Sequence, residues 1–242
     1  MRRILLLLAI VSVCAFAAQA FTFDPISQNF DPSGEGASRV FRVRNTGDER
    51  IAVRVSVRPR RIEPDGTEVQ GKETELFTVY PRQMLLDPGE QRSVRVRWNG
   101  PAEIEAELPF RIIAEQLPVD FGGAEPAEGA AIRLTYRYEG SLYVVPPGAR
   151  PDVRLQRITR DGEFLVLWLA NEGNRHTLLQ DLRILLSREE GGEPDLVLAQ
   201  EELPGAYGEN MLARSTRRFV IPAASDLWDG PLYADLEYSP QY

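Results

Sequence analysis

The feature that most constrains the fold is alternation with a period of two. Ile51, Val53, Val55 and Val57 alternate with Arg50, Ala52, Arg54, Ser56 and Arg58. Successive side chains of an extended strand point to opposite faces, so this run predicts a strand with an apolar row facing in and a polar row facing out. The rhythm recurs at residues 38–45 and where Val94, Val96 and Trp98 alternate with Arg95 and Arg97. It recurs again in residues 129–146, where Ile132, Leu134, Tyr136 and Tyr138 alternate with Arg133, Thr135, Arg137 and Glu139. Turn-forming residues separate the runs at Pro64-Asp65-Gly66, Pro88-Gly89, Asn99-Gly100-Pro101 and Asp161-Gly162. Pro25 predicts a break or bend in the first strand, because proline cannot continue a ladder. Residues 178–186 are apolar enough to read as helix on composition, but among short strands they are read as strand. No segment has a convincing amphipathic helical period. The chain is expected to be all-β, most simply two β-sandwiches in tandem.

The Pro/Gly-rich run from Pro146 to Pro151 reads as a stiff linker. It divides residues 21–146, which carry the long alternating stretch, from a smaller sandwich at 152–242, with 147–151 between them. Residues 1–20 have a basic start at Arg2 and Arg3, an apolar middle and Ala18-Gln19-Ala20 at the end. That is the pattern of a cleaved signal peptide, short for a membrane span and without a basic stop-transfer flank. It predicts export to the periplasm or beyond. Cys14 is the sole cysteine and falls within this segment, so disulfides are not expected to hold the exported part. The whole chain carries a formal charge of −8, and loss of Arg2 and Arg3 takes it to −10. An acidic protein of this kind argues against nucleic acid as a partner.

The inventory of chemistry is nearly empty. His176 is the single histidine, beside the turn at 171–174, and reads as a satisfied or exposed turn residue. No G-x-S-x-G, zinc-ligand cluster or phosphate loop is present, so neither a cofactor, a metal nor a small-molecule substrate is expected. Glu103, Glu105 and Glu107 have the spacing of a solvated strand edge, with a glycosidase pair as the weaker alternative. Arginines such as Arg54, Arg58, Arg60, Arg95 and Arg97 populate the polar rows of the first sandwich, while Lys72 is its only lysine. They form either a solvated face or a docking surface.

Three stretches carry a resemblance: 86–97, beginning Leu86-Asp87-Pro88-Gly89-Glu90; 108–118, beginning Leu108-Pro109-Phe110-Arg111; and 138–146, beginning Tyr138-Glu139-Gly140-Ser141. In this order, behind a signal peptide, they resemble the periplasmic pilus-assembly chaperones of the chaperone–usher pathway. The hairpin at 64–66 and the long 120–129 loop look closer to the divergent archaic branch of that family than to its best-known members. The resemblance implies two immunoglobulin-like sandwiches at an angle and no enzyme activity. It implies that the last strand of the first domain is inserted into the open groove of a pilus subunit, by strand addition. Its inserted row would be Ile132, Leu134 and Tyr136, extended by Tyr138. Subunits would then pass to an outer-membrane usher. Well-known members hold the subunit's terminal carboxylate with an Arg on the first strand and a Lys on the last. Here Ser27 or Gln28 and Ser141 align with those places, and none is basic. Arg137 is the substitute candidate on the strand, with Arg150 and Arg154 near the linker as candidates from the second domain. Self-capping of the free protein as a dimer is left open. The alternative readings are a secreted structural sandwich, such as a pilus subunit or adhesin, and more remotely a carbohydrate-active enzyme.

Overall fold

A computed structural model describes residues 21–119, 121 and 134–242. The signal segment, Ile132 and nearly all of the 120–129 loop lie outside the described residues. The first ten strands are β1 (Phe21–Asp24), β2 (Ser27–Phe30), β3 (Ser38–Asn45), β4 (Ile51–Ile62), β5 (Glu68–Gln70), β6 (Phe77–Tyr80), β7 (Gln83–Leu86), β8 (Gln91–Trp98), β9 (Leu108–Leu117) and β10 (Arg137–Val144). They form one sheet in the order β1-β3-β8-β6 and another in the order β2-β10-β9-β4-β5, with β7 also paired to β4. Between them lies a core that includes Phe21, Phe30, Phe41, Val55, Val96 and Leu142. The inward rows are those that alternation predicts. Ala52 and Ser56 lie on the opposite face of β4 yet are also buried. Pro25 falls where the chain changes sheets: β1 pairs with β3, and β2 pairs with β10.

The remaining strands are β11 (Val153–Asp161), β12 (Phe164–Asn171), β13 (Thr177–Ser187), β14 (Leu196–Leu198), β15 (Asn210–Met211), β16 (Ser215–Pro222) and β17 (Tyr233–Gln241). They form a sheet β11-β12-β16 and a second sheet in which β14, β15 and β17 pair with β13. A separate core between these sheets includes Leu165, Leu167, Leu179, Leu182, Ile184 and Phe219. The ambiguous run at 178–186 is therefore strand: it is the central member of its sheet, with alternate residues buried.

One device is used twice. Asn45 ends β3 and is fully buried; its Nδ2 donates to Glu49 O and Leu86 O, and its Oδ1 accepts the Gly47 N–H. Asn171 ends β12 and does the same with Arg175 O, Met211 O and the Gly173 N–H. In each sandwich an Asn-x-Gly turn thus ties a strand end to the opposite sheet, and the buried amide has partners for both its donor and its acceptor.

Residues 103–107 are not a strand edge. They form an irregular connection between β8 and β9 that reaches the second sandwich, and Glu107 is buried. The Glu107 N–H donates to Asn174 O, and Asn174 Nδ2 donates to Glu105 O. The expectation of solvated carboxylates failed at Glu107 because what covers it comes from the other half of the chain.

Candidate functional site

β10 has two halves with different neighbours. On one side it pairs with antiparallel β9 along its whole length, from Arg137↔Glu115 to Val144↔Leu108. On the other side, parallel β2 covers only Ser141 to Val144, beginning at Ser27↔Ser141. The Ser141 N–H donates to Ile26 O at 2.8 Å. Gly140 marks the division, because a Cβ there would meet Ile26 O at 2.6 Å and Ile112 Cγ2 at 2.9 Å. Upstream of Gly140 this edge has no strand partner among the described residues.

The apolar row changes character at the same place. Leu142 and Val144 are fully buried in the core. Tyr138 packs edge-on against Phe21, with ring centroids 4.8 Å apart, and its hydroxyl donates to Phe21 O at 2.7 Å. Tyr136 is half-buried against the same core, and its carbonyl accepts the Gln116 N–H, continuing the β9 ladder. Leu134 is 67% exposed. Of the row singled out in the sequence, Tyr136 and Tyr138 thus contact the chain's own sandwich, Leu134 projects from it, and Ile132 lies outside the described residues.

The opposite row of β10 runs Arg137, Glu139, Ser141, Tyr143. Arg137 is occupied locally, with Nε 2.8 Å from Glu139 and Nη1 3.8 Å from Glu115. Ser141 is set differently. Its hydroxyl oxygen accepts Arg111 Nη1 at 2.8 Å, with Arg60 Nη2 at 3.5 Å. Both arginines also hold Glu68: Arg111 through Nε and Nη2, and Arg60 through Nη1 at 3.0 Å. Desolvation pushes the Glu68 carboxyl up, but the hydrogen bonds from Arg111, Gln70 and Arg60 outweigh it and lower the pKa to about 2. Two guanidiniums share this one carboxylate, so the cluster keeps a net positive charge. The Arg60 side chain is only 2% exposed, and its Nε has no partner among the described residues.

Tyr143 links this cluster to the second sandwich. Its hydroxyl oxygen accepts Arg60 Nη2 and, at 2.8 Å, Asn210 Nδ2. Its ring stacks on His176 at 3.8 Å between centroids, with 8° between the planes. His176 is buried, with Nδ1 2.7 Å from the Glu107 carboxylate. Of the two readings, satisfied or exposed, the satisfied one holds: His176 is a buried joint between the sandwiches. In front of these groups opens a cleft of about 650 Å³, lined by Ser27, Ser141 and Tyr143 from the first sandwich and His176, Asn210 and Tyr242 from the second. Arg150 and Arg154 do not line it; Arg154 pairs with Asp152 at 2.8 Å. The sequence placed Arg60 on an outward row, but not in a cluster with Arg111, Ser141 and Tyr143. That grouping depends on the order β10-β9-β4, which alternation alone does not encode.

No protein-family profile matches the chain, and no curated protein matches it in sequence. Solved structures match it in fold. One is the CsuC–CsuE chaperone–tip adhesion subunit pre-assembly complex from archaic chaperone–usher Csu pili of Acinetobacter baumannii, with a TM-score of 0.61 and 17% identity, covering 90% of this chain and 93% of that one. The class 5 fimbriae chaperone CfaA gives 0.58 at 15% identity, covering 90% and 99%. The E. coli chaperone DraB gives 0.52 at 18% identity, covering 88% and 86%. The all-β expectation of two immunoglobulin-like sandwiches therefore holds, and the chain has the fold of the chaperone–usher pilus chaperones.

Proposed function

We propose that the chain is a non-catalytic periplasmic chaperone that binds pilus subunits by lending them a strand and delivers them to an outer-membrane usher. The observation that carries this reading is the divided edge of β10. Its C-terminal half is closed by β2, while upstream of Gly140 no described strand pairs with this edge and Leu134 is displayed. A sandwich that lacks a strand has unpaired edges and an uncovered groove. An open strand with an apolar side chain supplies both the missing ladder and the filling. By sequence, Ile132 extends the row that Leu134 begins, and Tyr136 and Tyr138 lie where the lent segment meets its own domain. The chaperone–tip adhesion subunit complex among the fold neighbours supports this reading. In the same reading, the terminal carboxylate of the subunit enters the cleft at Ser27 and Ser141, and the Arg60–Arg111 cluster, which does not line the cleft, acts on it through the Ser141 hydroxyl. Arg137, already paired with two glutamates, serves instead to keep the open half of β10 extended. Nothing observed favours a pilus subunit or adhesin, since each described sandwich covers its own core.

The test is co-expression with tagged pilus subunits encoded beside this chain, followed by co-purification. Leu134→Asp, alone and with Ile132→Asp, is expected to abolish recovery of the subunit. The melting temperature should stay unchanged, because Leu134 is already largely in solvent. Undiminished recovery with the double variant would sink the strand-lending reading.

A further inference from the structure

The outer face of the β1-β3-β8-β6 sheet takes no part in β10 or in the cleft. Strand register places Arg42 and Arg44 of β3 beside Ser93 and Gln91 of β8, and Arg97 and Arg95 of β8 beside Ser38 and Val40 of β3. All four arginines are exposed. Asp24, 3.6 Å from Arg42, is the one carboxylate at the outward positions of these strands. Arg44, Arg95 and Arg97 make no side-chain ion pair or hydrogen bond among the described residues. One cross-strand row on this face reads Val40–Arg95–Tyr80, with Val40 49% and Tyr80 76% exposed. The face is thus strongly positive on a chain whose formal net charge is −8. Elsewhere the chain's arginines are mostly paired with acids, as Arg54 is with Glu73 and Arg183 with Glu237.

We propose that this face docks on a bilayer surface containing anionic phospholipid. The guanidinium fork matches phosphate oxygens, and a tyrosine ring with a polar tip settles at head-group depth. The strand ladder spreads the arginines over a whole sheet face instead of gathering them around a pocket. A spread of this kind fits an array of phosphates better than it fits one acidic side chain or segment. The charge of the remaining chain sets the orientation, because an anionic surface attracts this face and repels the rest. None of this depends on the chaperone reading.

The experiment is co-sedimentation of the chain from Phe21 onward with phosphatidylcholine vesicles, with and without phosphatidylglycerol. Binding is expected only with phosphatidylglycerol, and it should weaken as salt rises. Arg95→Gln/Arg97→Gln should lower the partition coefficient roughly thirtyfold, from the usual contribution of a basic residue near an anionic surface. Arg61→Gln/Lys72→Gln makes the same change in charge off this face and should leave binding intact; matched thermal melts confirm that each variant folds. Equal binding to both vesicle types, no binding to either, or equal loss in both variants would overturn the proposal. So would capture by soluble poly-glutamate in preference to the vesicles, which would assign the face to an acidic protein.

Discussion

Replacing Glu107 by alanine tests how the two sandwiches are held together. The Glu107 side chain is fully buried, and both its oxygens lie within 2.8 Å of His176 Nδ1. Glu107→Ala leaves a buried imidazole nitrogen with no acceptor, beneath a stacked Tyr143 ring that blocks access of water from one side. Leaving a buried hydrogen-bonding group without its partner costs about 1–3 kcal/mol. For a chain of this size that corresponds to a fall in melting temperature of about 2–12 °C. Glu107→Gln keeps the shape and one acceptor oxygen, so it should cost only about 1 kcal/mol. Adding His176→Phe to Glu107→Ala removes the stranded nitrogen while keeping a ring against Tyr143, and should restore at least about 1 kcal/mol. Urea unfolding followed by tryptophan fluorescence measures the cost. Small-angle scattering shows whether the sandwiches change their mutual disposition. If Glu107→Ala costs less than about 1 kcal/mol, or if its effect simply adds to that of His176→Phe, the pair is not a structural joint.

Two further expectations follow from the same kind of accounting. Asn45→Ala and Asn171→Ala each strip hydrogen bonds from buried backbone groups and should cost about 2–3 kcal/mol apiece, read from urea midpoints; a loss below about 0.5 kcal/mol in either would refute the tie. Glu68 has a folded pKa of about 2, below its ordinary 4.5, so its contribution is complete above the ordinary value and lost as pH falls toward 2. Glu68→Gln should therefore destabilise the protein near neutral pH by about 1 kcal/mol, after allowance for solvent screening at this partly exposed group, and the deficit should shrink in acid. A deficit that does not change with pH would show that the ion pairs at Glu68 contribute nothing.

Alternation made most of the fold legible because a two-layer sandwich buries one face of each strand and wets the other. It placed Val53, Val55 and Val57 inward on β4, and Val94, Val96 and Trp98 inward on β8. What it could not convey was contact between rows set by sheet order or by the other sandwich. Glu107 read as solvated and His176 as a turn residue, yet they meet across 69 positions of sequence. The cluster of Arg60, Arg111 and Ser141 was invisible for the same reason. Of the two residues that the family resemblance offered for the first place, Ser27 is the direct ladder partner of Ser141 and Gln28 pairs with Leu142; none of the three aligned residues is basic. The cations that touch Ser141, Arg60 and Arg111, belong to strands β4 and β9.

In the strand-lending reading, the offered strand would also be a hazard, because an unpaired edge invites any extended segment, including a second copy of the same chain. The open half of β10 limits that hazard in two ways. Its polar row carries alternating charges already engaged within the chain, Arg137 with Glu115 and Glu139, and Glu139 with Gln70. A flat stack of copies would have to disturb those pairs or bury them. Its apolar row is kept short of the edge, because Tyr138 turns its ring and hydroxyl onto Phe21 and Tyr136 leans on the core. Among the described residues, the most exposed apolar side chain at this end of the ladder is Leu134, with Val119 and Phe121 beyond β9 also exposed. A partner that pairs only with the backbone edge therefore gains little. One that also presents a groove to Leu134 adds the burial of a leucine, roughly 2 kcal/mol, to the ladder. In the strand-lending reading, that difference is what separates an incomplete sandwich from an arbitrary extended chain.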